Sequence, residues 1–151
     1  MNNAGRNGKF IAFVVFAFIT LFTYTAVNKL WDIDFVEKSL RSFPLIGSMA
    51  PLLSWAIPLA ELVVVAVLFI PRTRNIGLLL STLLMISFTF YIIYLKAVSS
   101  ILPCTCGGMI SHLSWDQHLI VNIIFIVLGI ASIYLTRRSQ RKMAAVLSPA
   151  N

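Results

Sequence analysis

Four stretches of this chain, at about residues 10–27, 50–70, 76–95 and 115–135, are each apolar and long enough to cross a bilayer. That pattern limits the fold more than any motif does. The hydrocarbon core of a membrane needs about 20 consecutive apolar residues in a helix, and Phe10 to Val27 alone runs 18 residues without a charge. Composition agrees: 59% of the 151 residues are hydrophobic and only 11% charged, against about 25% charged in soluble domains. The expected fold is therefore all-α, an integral membrane four-helix bundle forming a single domain over residues 1–151.

The segments between the spans give the bundle its order. The first run is too long for the apolar core of a secretory signal, and Asn28-Lys29-Leu30-Trp31 offers no small-residue cleavage site, so it reads as a retained helix. In Asn28 to Ser48, Asp34 and Glu37 have capping-box spacing, while Ile33, Val36, Leu40 and Phe43 share one helical face. This predicts a short interfacial helix between helices one and two, stopped by Pro44 and Gly47. It serves as a connector, or alternatively as a lid over the outer mouth. Pro71-Arg72-Thr73-Arg74 is a tight basic turn, and Ser114 with Gln117 forms a capping box before the fourth span. Residues 136–151 read as a basic, disordered cytoplasmic tail.

The net charge of +7 does not point to nucleic acid, because the basic residues sit at helix ends and form no binding patch. Four spans put Arg6, Lys9, Arg72, Arg74, Arg137, Arg138, Arg141 and Lys142 on one side, with no acid. The other side carries Lys29, Lys38, Arg41 and Lys96 together with Asp32, Asp34, Glu37 and Asp116. Eight basic residues against four predict that both termini are cytoplasmic. The expected location is a bacterial inner membrane, with the loop between helices three and four facing the periplasm.

That loop holds both cysteines, in Pro103-Cys104-Thr105-Cys106-Gly107-Gly108. A bridge across one intervening residue closes a tiny ring and constrains the unfolded chain little, so a structural staple explains the pair poorly. A redox pair explains it better, since disulfides persist in the periplasm and strained ones are readily reduced. The competing reading is a metal site. Cys104, Cys106, Met109 and His112 offer soft sulfur and imidazole suited to Cu(I), and His118 would extend the set towards zinc. The spacing matches no common zinc module, and neither copper nor quinone has a motif here. No cofactor is identified.

Three further residues stand out because they are polar within apolar helices. Glu61 lies eleven residues, roughly 16 Å, from the outer end of the second span. A charge at that depth costs about 2.5–3.5 kcal/mol on insertion scales, so Glu61 must face the bundle and be paired or protonated. Pro58, three residues earlier, removes a backbone donor towards Ser54. His118 and Asn122 are one turn apart on one face of the fourth helix. With Glu61 they form a candidate proton path leading from the cysteine loop.

The first helix from Tyr24 to Lys29-Leu30, the second-helix pattern Trp55-x-x-Pro58-x-x-Glu61-Leu62 and the Cys104-x-Cys106 element resemble the MauE branch of the DoxX-like membrane proteins. The resemblance covers nearly all the hydrophobic part of the chain. It implies a role in disulfide or redox maturation of periplasmic proteins beside a thioredoxin-like partner, with Cys104 and Cys106 as the redox pair. The chain departs from the expected Cys-Gly-Cys-Phe-Gly run at Thr105 and at Gly107-Gly108. The expected function is thus thiol–disulfide exchange or electron transfer at the membrane surface. The alternative is a non-enzymatic assembly or metal-binding factor.

Overall fold

A computed structural model describes residues 3–41, 46–98 and 115–147. Five α-helices account for nearly all of them: α1 (Asn3–Trp31), α2 (Ile33–Arg41), α3 (Ala50–Phe69), α4 (Arg74–Val98) and α5 (Trp115–Leu147). Four segments are long and apolar enough to span a membrane, Gly5–Trp31, Gly47–Phe69, Arg74–Tyr94 and Asp116–Arg141. The protein is an all-α membrane helical bundle.

The long helices pack in a ring. The pairs α1–α3, α3–α4, α4–α5 and α1–α5 are all in contact, so chain order alternates up and down and the last helix closes on the first. The short α2 lies against α3. Inside the ring sit Val14, Phe18 and Phe22 of α1, Val64 and Leu68 of α3, and Leu78 and Met85 of α4. Phe18 stacks on Phe22 at 5.9 Å and meets Phe125 of α5 edge-on at 5.3 Å. Phe16, Val63, Phe90 and Val127 point outward and are each at least 59% exposed. In water that would be an unfavourable surface; against lipid it is the expected one.

Polar side chains take the opposite position. Ser54, Ser81, Thr82 and Ser132 are buried, and several hydroxyls are satisfied within their own helix. Ser81 donates to the Gly77 carbonyl at 2.8 Å and Thr82 to the Leu78 carbonyl at 2.7 Å. Such back-bonding removes the cost of placing a hydroxyl where there is no water.

The helices run further than their charge-free cores. α1 extends to Trp31 rather than stopping at Val27, and α5 extends to Leu147 rather than Leu135. Residues 136–147 of the basic tail are thus taken into the helix. Hydrophobicity marks where lipid ends, whereas a helix ends where its backbone hydrogen bonding does. α2 also starts differently from the Asp34–Glu37 capping box. Asp32 caps it, its Oδ1 accepting from the Phe35 amide at 3.3 Å, while Glu37 turns aside to pair with Arg41 at 2.7 Å. Phe43, Pro44 and the Ser114 half of the second capping box lie outside the described residues.

One close approach fixes α3 against α4. A Cβ added to Gly77 would lie 2.9 Å from Leu68 Cδ2 and 3.0 Å from Leu68 Cα, whereas one added to Gly8 would meet nothing within 4 Å. Because the Leu68 Cα is backbone, the helices themselves must separate to admit a methyl group. Gly77→Ala is expected to destabilise the bundle by about 1–3 kcal/mol, while Gly8→Ala stays within about 0.5 kcal/mol. Denaturant titration of the two variants in the same detergent checks the difference.

Candidate functional site

The site begins with a helix that overruns its apolar core. Because α1 continues past Val27, Lys29 sits in its last turn on the same helix as the bundle core. Its flexible stem lets the ammonium reach inward, where it forms an ion pair with Glu61 Oε1 of α3. Glu61 is 1% exposed and Lys29 20%, so the carboxylate is buried and the ammonium lies part-way to the surface. This is the partner that an intramembrane carboxylate requires.

Other helices supply the surroundings of the pair. The Lys29 Nζ lies over the Phe88 ring of α4, 5.4 Å from its centre, a cation–π contact. Thr25, one turn before Lys29, lies beside the Glu61 carboxyl and donates its hydroxyl hydrogen to the Phe22 carbonyl at 3.2 Å. On α5, His118 is half-buried near the same end of the bundle. Asn122 is buried one turn further along α5. Helices α1, α3 and α4 therefore contribute to one polar centre in an apolar bundle.

Glu61 uses one oxygen only. Oε1 accepts from Lys29, while Oε2 is buried and has no hydrogen-bond partner among the described residues. A buried carboxylate oxygen without a donor is costly, and it leaves a place where a proton can be held.

The same end of the bundle carries the roots of the cysteine segment. Residues 99–114 leave from α4 and return at α5. Lys96, near the end of α4, forms an ion pair with Asp116 in the first turn of α5. The segment thus departs and returns at one place, and His118 lies half a turn beyond Asp116. Cys104, Cys106, Met109 and His112 lie outside the described residues. Among the described residues, no group of three or more His, Cys, Asp or Glu side chains is placed to hold a metal ion.

The site residue missed by reading the sequence is Lys29, which entered only as a charge for orientation and as the end of the first helix in the family resemblance. One signal was available. An intramembrane Glu61 needs a cation, and Lys29 is the basic residue flanking the outer end of the preceding span.

No curated protein and no solved structure matches the chain. The model of one family, methylamine utilisation protein MauE, matches residues 7–135, which reaches into all four spans and takes in residues 99–114 with both cysteines. With a match over most of its length, the chain belongs to the MauE family.

Proposed function

We propose that this protein is the membrane-embedded partner in a thiol–disulfide exchange on the periplasmic side of a bacterial inner membrane. Both termini are cytoplasmic in this reading, and Cys104 and Cys106 form the redox pair. The observation that supports it best is the buried Lys29–Glu61 pair in a bundle whose same end carries the roots of the segment bearing the cysteines, joined by Lys96 and Asp116. Family membership adds the association with methylamine utilisation, and a thioredoxin-like protein is the natural partner for a dithiol.

The exchange balances without another component. A thiolate of the reduced partner attacks the Cys104–Cys106 disulfide, forming a mixed disulfide and releasing one cysteine as thiolate. The partner's second thiolate then breaks the mixed bond. Two electrons pass from the partner dithiol to the cysteine pair, leaving the partner oxidised. The protons released by the partner match those needed by the reduced pair. Half-buried His118, Asn122 buried one turn further along α5 and the unpartnered Glu61 oxygen supply groups through which those protons move. The reverse exchange uses the same steps.

Orientation and redox state are tested together in intact spheroplasts with a membrane-impermeant maleimide polymer. The expected result is a gel shift by two adducts after mild reduction and none before it. Labelling that requires membrane rupture would overturn the orientation. A metal-holding function predicts instead that chelation, not reduction, exposes the thiols, with stoichiometric copper or zinc in the purified protein.

A further inference from the structure

Far from the polar centre, at the other end of the bundle, α4 and α5 leave a groove of about 190 Å³ between them. Its lining is divided by chemistry. Ile76, Leu79 and Ile133 give it an apolar wall, while Asn75, Arg137 and Gln140 give it a polar rim. Ile76 and Leu79 are also exposed on the outside of the bundle, so the apolar part is continuous with the lipid-facing surface.

We propose that this groove binds one anionic phospholipid, an acyl chain lying along Ile76, Leu79 and Ile133 with its phosphate at Arg137. The volume admits part of one chain and not a whole lipid, which leaves the headgroup at the rim. Charge complementarity selects the anionic class. Arg72, Arg74, Arg138 and Arg141 belong to the same end of the bundle. None of the five Asp and Glu residues does, since they are Asp32, Asp34, Glu37, Glu61 and Asp116. Asn75 and Arg74 also lie in the first turn of α4, where the helix dipole favours negative charge. Basic recesses between transmembrane helices are a recognised way of holding lipid phosphates. The lipid would fasten α4 to α5 at the end opposite the cysteine segment.

The test is native mass spectrometry of the purified full chain titrated with phosphatidylglycerol, phosphatidylcholine or inorganic phosphate. Circular dichroism confirms that each variant is folded. One phosphatidylglycerol should be retained in preference to phosphatidylcholine. Arg137→Gln should weaken that retention about five-fold. Leu79→Trp, which fills the apolar wall and keeps every charge, should also weaken it. Arg138→Gln, on the same end but outside the lining, should weaken it far less than Arg137→Gln does. Equal retention of phosphatidylcholine would overturn the proposal, as would an Arg138→Gln loss equal to that of Arg137→Gln, which means diffuse attraction. Competition by inorganic phosphate at the same concentrations would overturn it too, reducing the groove to an anion site.

Discussion

Cys104→Ser and Cys106→Ser each abolish turnover in the proposed exchange, and one of the two accumulates a covalent complex with the partner. A relay needs two sulfurs: one to make the mixed disulfide and the other to resolve it. In the reverse exchange a cysteine thiolate attacks the oxidised partner's disulfide, and removing the resolving cysteine stops the reaction after that mixed bond has formed. Removing the attacking cysteine prevents the bond from forming. The two variants are thus equal in activity, both at background, and unequal on a non-reducing gel. His112→Ala should change the exchange little. A metal-holding loop behaves otherwise: both serine variants and His112→Ala lose metal, and none traps a partner. Non-reducing electrophoresis of cells expressing each variant, with metal analysis of the same purified samples, separates the two. Absence of a trapped species in both variants, with stoichiometric metal in the wild type, would remove the redox reading.

The second large effect concerns the Lys29–Glu61 pair. Glu61→Lys puts two ammonium groups inside the bundle, and Lys29→Glu puts two carboxylates there. Each should cost at least about 3–5 kcal/mol, the range for breaking a buried pair by altering one partner. On that scale most of the protein fails to fold or is degraded in the membrane. Lys29→Glu combined with Glu61→Lys restores opposite charges across the same α1–α3 contact and should recover much of the loss. Recovery will be incomplete, because the Phe88 ring lies against the native position of the Lys29 ammonium. The comparison is a double-mutant cycle on yield in the membrane fraction and on denaturant midpoint. Additive losses in the double variant would show that the two residues act independently.

The pair also shows where reading the sequence stops. Glu61 was legible as a group that must be paired or protonated, since lipid gives a carboxylate no other stable condition. Its partner was less legible, because pairing depends on how far α1 continues beyond its apolar core and how it is rotated against α3. Periodicity places His118 and Asn122 on one face of α5 but not which neighbour that face meets. The short helix α2 illustrates the same limit on a smaller scale. Its existence follows from amphipathic spacing, whereas the choice of Asp32 over Asp34 as cap depends on where α1 releases the chain.

By itself the sequence determined the fold class, because four apolar runs in a chain this poor in charge have few places to go except into lipid as helices. It also determined that the two cysteines share one connecting segment and that eight of the twelve basic residues fall at one end of the bundle. Only the tertiary structure decided that α1 and α5 close the ring, that Gly77 brings α4 against Leu68, and that Lys29 reaches Glu61. The physical reason is one of range. Transfer into lipid is a property of each segment summed over its own residues, whereas a buried charge finds its partner through the rotation and offset of helices far apart in the chain.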